Sequence, residues 1–343
     1  MKRMAGWIGT VLALAQLGWA EPFPAVCARL AAEAEAESRM VVEGRDGWLF
    51  LAGELRHVGA GPFWGEAAVA VSRASRPEQA DPLPVIVDFK QQLDELGIEL
   101  LLVPVPPKAL IYPDGLVERA APGEPPASVL PEFYSRLREQ GVNVLDLAPL
   151  FHRERAEMAP GAPDLYCRQD SHWSVQGCRL AARALAQELS GREWLAELAR
   201  QSFDLSEGDI ELRGDLWQAL SEPRPERERI PIRRVQRNRQ PIEPDRASPV
   251  LLLGDSHALV FHAGGDMHTA GAGLADQLAA ELGFALDVLG VRGSGATPAR
   301  ISLFRRSRAD GDYLAGKKAI IWCFSAREFT EATGWSVVPF VER

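Results

Sequence analysis

The chain has 343 residues, with 38 Lys and Arg against 47 Asp and Glu, 46% hydrophobic residues, 25% charged residues and four cysteines. That balance excludes intrinsic disorder, collagen-like repeats and coiled coils, and it supplies apolar mass for one large α/β domain or two modest ones. A formal charge of −9 and a sequence pI near 5.3 argue against nucleic-acid binding, because neutralising phosphates requires a basic face.

In chain order, Lys2 and Arg3 precede an apolar stretch from Met4 to Leu17, which ends in Gly18-Trp19-Ala20 before Glu21. A basic start, a short apolar run and a small residue at the boundary predict a signal peptide over residues 1–20. The alternative is an uncleaved N-terminal anchor, although the run is short for a membrane span. Cleavage after Ala20 leaves 36 basic and 47 acidic residues, a charge of −11, on a protein expected in an exported, periplasmic compartment. In that compartment Cys27, Cys167, Cys178 and Cys323 are either buried thiols or disulfide partners, with Cys167–Cys178 the shortest loop to close.

Residues 21–40 form an N-terminal segment whose composition over 26–38 predicts an exposed helix, and 41–343 form the main domain. VVEGRDGWLFL (41–51) joins a Gly/Asp turn to an aromatic strand. Residues 85–96 and 128–140 have helical spacing, 98–105 is an apolar run, 142–147 is a short strand, and 174–188 is an amphipathic helix. Residues 221–249 are dense in Arg, Glu and Pro and read as a solvated excursion. Apolar stretches at 250–255, 285–290, 300–307 and 319–324 follow, with a helical pattern at 274–282. Continuous apolar strands alternating with helices predict a doubly wound parallel sheet covered on both faces.

Two motifs carry chemistry. The apolar strand 250–253 ends in Gly254-Asp255-Ser256-His257, where a parallel sheet opens its ligand crevice. A serine there, starting a helix, has an exposed hydroxyl and helix N-terminal amides suited to a developing oxyanion. Asp and Ser are also good helix caps, so a purely structural cap is the competing reading. The second motif is Asp170-Ser171-His172-Trp173, ahead of the 174–188 helix. A serine hydroxyl needs an imidazole to take its proton, and the imidazole needs an orienting carboxylate. Asp170 and His172 supply both from one loop, while capping and core packing remain the structural alternative.

The order Asp-x-His, then Gly-Asp-Ser some eighty residues later, resembles the SGNH-hydrolase-like acetyltransferases of the alginate O-acetyltransferase family (AlgJ/AlgX type). The motif order looks circularly permuted relative to ordinary SGNH esterases. Gly44-Arg-Asp-Gly-Trp-Leu-Phe50, Val103-Pro-Val-Pro-Pro-Lys108 and Ile320-Ile-Trp-Cys-Phe324 match the family in the same order, so the likeness spans about residues 41–330. The resemblance implies an SGNH-like α/β fold and an exported enzyme that moves acetyl groups onto exopolysaccharide hydroxyls. It implies Ser256 as nucleophile, His172 as general acid/base and Asp170 as its orienter. It also implies a membrane-bound O-acyltransferase-type partner that relays acetyl, and membership of an exopolysaccharide assembly complex. For oxyanion or substrate contacts, the Ser256 amide, Gly293 and Arg292 are the candidates. His257 and Cys323 depart from the family pattern. Two competing functions are a carbohydrate acetylesterase using the same three residues and a non-catalytic scaffold of such a complex.

No metal is expected, because the six histidines lack ligand spacing such as H-E-x-x-H. No cofactor is expected either: Gly271-Ala-Gly273 and Gly293-Ser-Gly295 lack a dinucleotide-binding context, and no phosphate-binding loop occurs. Trp48, Trp64 and Trp335 are candidates for stacking on a saccharide, against the commoner role of core and loop anchors, and Arg292, Arg305 and Arg306 for a basic groove toward an acidic polymer, against plain solvated surface.

Overall fold

The computed structural model describes residues 21–118 and 125–341, so the predicted signal peptide at 1–20 lies outside the described residues. Among the described residues, no helix is long and apolar enough to cross a membrane. The strands are β1 (Val41–Glu43), β2 (Leu49–Leu51), β3 (Glu99–Val105), β4 (Asn143–Val144), β5 (Asp204–Glu211), β6 (Arg229–Arg237), β7 (Gln240–Pro241), β8 (Val250–Gly254), β9 (Asp287–Gly290) and β10 (Ala319–Ser325).

Five strands form the central sheet in the order β4-β3-β10-β8-β9, and every pairing is parallel. β8 and β10 are buried at every position, which is why their sequences run apolar without alternation. The ring of Trp322 on β10 meets Phe89, of the helix Pro82–Glu95, edge to face at 5.2 Å. The guanidinium of Arg300, from the helix Thr297–Ala309, lies 5.3 Å from the same indole. The helices Val175–Leu189 and Leu274–Leu282 pack against each other. β3 and β4 run outward in one direction and β8 and β9 in the other, with β10 returning between them. In open parallel sheets such a reversal, at the carboxyl ends of the strands flanking it, is where ligands bind.

Several expectations change. Residues 221–249, expected as a solvated excursion, are mostly exposed but hold β6 and β7, which continue a separate antiparallel sheet in the order β5-β6-β7. Ile230, Ile232 and Val235 are buried, and interspersed charged and proline residues on the outward positions masked this short alternation in the sequence. The N-terminal helix spans Phe23–Ala36 and buries Cys27, Ala31 and Ala34 rather than standing exposed. It packs on the helix Ala52–Gly59, where a Cβ on Gly59 would meet the Ala28 Cβ at 2.6 Å. All four cysteines are free and buried, so the Cys167–Cys178 bridge does not form. Residues 300–307 belong to the Thr297–Ala309 helix.

Candidate active site

Gly254 ends β8 beside Cys323 of β10, and a Cβ there would stand 1.9 Å from the Cys323 carbonyl oxygen. Only glycine lets the chain turn so close to its neighbour. Asp255 then caps the short helix Ser256–Leu259, its Oδ1 accepting the His257 N–H at 2.8 Å, and its Oδ2 accepts the Ser325 N–H at 2.8 Å. The cap is therefore supplied by Asp255 and does not occupy the Ser256 hydroxyl. Asp255 caps, and Ser256 is left to present its hydroxyl.

The Ser256 Oγ lies 2.7 Å from His172 Nε2, and His172 Nδ1 lies 2.6 Å from Asp170 Oδ1. Here too the cap is a neighbour: Ser174 accepts the Gln176 and Gly177 N–H groups of the Val175–Leu189 helix. Asp170 is thereby free to hold the imidazole, which it also meets through the His172 backbone N–H at 3.0 Å. Burial favours neutral His172, but the Asp170 carboxylate beside it outweighs burial and raises its pKa above the usual 6.5. Burial likewise opposes the charge on Asp170, while His172 and His268 hold its pKa well below the usual range.

Sequence reasoning missed the groups that hold this loop in place. The Lys108 ammonium, wholly buried at the end of β3, donates to the carbonyl oxygens of Cys167, Arg168 and Asp170 at 3.0, 3.3 and 2.9 Å. Glu54 accepts the Lys108 backbone N–H at 3.0 Å. Burial lowers the Lys108 pKa, and Glu54 is the first of the acids that counter it. Asp215 accepts the Ser171 N–H at 2.7 Å and the Ser171 hydroxyl at 2.5 Å, and its own N–H donates to Asp170 Oδ2 at 2.9 Å. Lys108 sat in a motif noted for its resemblance, with no role attached. Asp215 carried no sequence signal.

His257, the departure from the family pattern, is buried with its ring 4.7 Å from that of His172. Burial lowers its pKa to about 4, so near neutrality it adds no second positive charge beside His172. Asp170, His172 and Asp215 are the group among the described residues with metal-ligand proximity, yet each already has protein partners at this site.

Gly293 and Arg292 follow β9 in a loop next to β8, but both are exposed. The close approach belongs to Gly295, where a Cβ would meet the Asp255 nitrogen at 3.0 Å. Arg292 forms a surface ion pair with Asp266. Arg306 pairs with Asp287 at 2.9 Å, and Arg305 is exposed on the Thr297–Ala309 helix, so no basic groove forms from these three. Trp48, Trp64 and Trp335 are 6%, 8% and 1% exposed and serve as core anchors rather than open sugar platforms.

A profile of the family described as "SGNH hydrolase-like domain, acetyltransferase AlgX" matches residues 41–325. The chain is similar to proteins described as probable alginate O-acetylase AlgJ. It is 26% identical to that of Pseudomonas aeruginosa over 181 residues, 52% of this chain and 41% of the relative. It is 29% identical to that of Pseudomonas putida over 181 residues, 52% of this chain and 42% of the relative. These alignments thus span less than half of the relatives' length. Among solved structures, the O-acetyltransferase domain of Pseudomonas putida AlgJ superimposes with a TM-score of 0.61 at 23% identity, covering 84% of this chain and 92% of that one. Pseudomonas aeruginosa AlgX gives 0.56 at 18% identity, covering 89% and 66%. These likenesses establish the SGNH-hydrolase-like fold, and with the family profile spanning most of the chain, the protein belongs to the SGNH hydrolase-like, AlgX-type acetyltransferase family.

Proposed function

We propose that this protein is an exported O-acetyltransferase that transfers acetyl groups to hydroxyls of an exopolysaccharide through an acetyl-Ser256 intermediate. The observation that carries the reading is the continuous hydrogen-bonded line from Ser256 Oγ through His172 to Asp170, at 2.7 and 2.6 Å, at the carboxyl end of β8. Family membership and the AlgJ relatives support the acetyl-transfer assignment.

In the first step His172 Nε2 takes the Ser256 proton as Oγ attacks the acetyl carbonyl carbon of a donor ester. The tetrahedral adduct collapses, the donor oxygen leaves with the proton from His172, and the acetyl group remains on Ser256. A saccharide hydroxyl then gives its proton to His172 and attacks the acetyl-serine carbonyl, and the serine oxygen leaves with that proton. The Ser256 N–H begins a helix, where intrahelical acceptors are absent, and serves the oxyanion together with the 293–295 loop. Water competes as acceptor, and its exclusion separates transfer from hydrolysis. The acetyl donor reaches the exported enzyme through a membrane-bound O-acyltransferase-type partner, within an exopolysaccharide assembly complex.

Arg327, after β10, is a cation of the site that sequence reasoning did not single out. Its guanidinium donates to Ser325 Oγ at 3.3 Å and acts electrostatically on His172 and Asp255. It is the group available to an acidic acceptor polymer.

The test compares the native protein with Ser256→Ala, using an acetyl ester as donor and an oligosaccharide as acceptor. Acetyl-Ser256 detected by peptide mass spectrometry in the native protein, with transfer lost in the variant, supports the reading. Undiminished transfer by the variant overturns it.

A further inference from the structure

Asp170 is held by two imidazoles, not one. Its Oδ1 faces His172, while its Oδ2 lies 3.0 Å from His268 Nε2 and 2.9 Å from the Asp215 N–H. An ionised carboxylate only accepts hydrogen bonds, so both imidazoles must donate to it. The proton on His172 is thereby assigned to Nδ1, which leaves Nε2 as the acceptor that faces the Ser256 hydroxyl.

The backbone that delivers His268 is strained. His268 has φ 71° and ψ −64°, and the Thr269 N–H donates to the Met267 carbonyl at 3.0 Å across it. That is a γ-turn with positive φ at its centre, a rare and strained conformation for a residue other than glycine. The same loop holds Phe261 at φ 59°, and its ring lies 5.4 Å from the His268 ring. An isolated bridge between Ala263 and Ala270 closes the loop. Strain of this kind persists where the surroundings over-determine it, and here the strained residue is the one that reaches the site. The His268 side chain is 8% exposed, and the loop starts from the short helix that carries Ser256. The nucleophile segment and the Asp170–His172 loop are therefore joined by His172 to Ser256, by His268 to Asp170, and by the Trp173 indole N–H to the His257 carbonyl.

Resting on the acyl-transfer reading of this site, we propose that His268 is a positioning residue: its N–H fixes the outer oxygen of Asp170, so that the inner oxygen stays aligned with His172 Nδ1–H. His268 touches neither substrate nor the reacting atoms and acts through Asp170. Without it, Asp170 keeps the Asp215 N–H on its outer oxygen but loses the lateral support that fixes the plane of the carboxylate.

The experiment uses the full chain with p-nitrophenyl acetate as acetyl donor, and compares His268→Ala, His268→Gly and His268→Gln. Ala and Gly should lower kcat by about 10- to 100-fold with KM unchanged, as expected of a misaligned base rather than a lost substrate contact. Gln places an amide donor near the same point and should recover most of that loss. Gly relieves the γ-turn and should unfold at the same temperature as the native protein or higher while remaining slow, which a purely structural role would not produce. The low-field proton resonance of the His172–Asp170 hydrogen bond should move in Ala and Gly and return in Gln. An Ala variant with native kcat, or a Gly variant as fast as the native protein, overturns the proposal. If Ser256→Ala keeps native activity, the reading of the site itself fails; if Ser256→Ala is inactive and His268→Ala is fully active, only the role of His268 fails.

Discussion

The ammonium of Lys108 sits 2.9 Å from the carbonyl oxygen of Asp170 and joins the end of β3 to the loop that carries the proposed base. Its other two acceptors, the carbonyls of Cys167 and Arg168, belong to the same loop, so one buried charge organises three backbone groups. Lys108→Met removes the donor and takes the ammonium from the Cys167 and Asp170 carbonyls, at about 1–3 kcal/mol each, while the Arg168 carbonyl keeps the Leu49 N–H at 2.8 Å. The expected outcome is a loss of several kcal/mol in urea unfolding and, where the protein still folds, a kcat reduced by on the order of 10²-fold. Native kcat in Lys108→Met would show that the loop holds its shape without the ammonium.

The Asp170–His172 pair sets the pH dependence. His172 must be neutral to accept the serine proton, and Asp170 raises its pKa above 6.5 against the opposing effect of burial. Acyl transfer should therefore rise with pH through a midpoint above 6.5. Asp170→Asn removes the charge that raises this pKa and disturbs the tautomer, so kcat should fall by about 10⁴-fold. A pH–rate profile of kcat for the native protein, and single-turnover acetylation of the variant, measure the two effects. A midpoint at or below 6.5 would contradict the assigned coupling.

Glu328 is a buried carboxyl that accepts the Ser294 hydroxyl of the loop beside Asp255. Burial first, and the Asp255 charge second, raise its pKa from 4.5 to about 7. The folded state thus binds this proton more tightly than the unfolded chain. The contribution to stability is full below pH 4.5 and is lost as pH rises through about 7. Glu328→Gln cannot titrate and lacks this slope. Relative to that variant, the native protein should lose about 3 kcal/mol of unfolding free energy across the interval. Parallel stability curves for the two proteins would refute the assignment.

Much of the site was legible because its chemistry is local in sequence. Asp170 and His172 are two residues apart in one loop, and Ser256 follows a run of apolar residues that marks a buried parallel strand. A helix cap and a nucleophile use the same residue types, however, and only the fold showed that Asp255 and Ser174 do the capping. The strands inside 221–249 escaped notice because Arg and Pro occupy the positions between Ile230, Ile232 and Val235.

By itself the sequence determined the parallel α/β class, the strand that presents Ser256, and the pairing of Asp170 with His172, because periodicity and short-range spacing are written along the chain. The tertiary structure alone decided that Ser256 and His172, 84 residues apart, meet at 2.7 Å. It also decided that Lys108, Asp215 and His268 contact the loop, that Arg292 pairs with Asp266, and that the cysteines stay free. These are contacts between distant segments, set by how the strands order in the sheet and where their ends converge, and no local pattern encodes them.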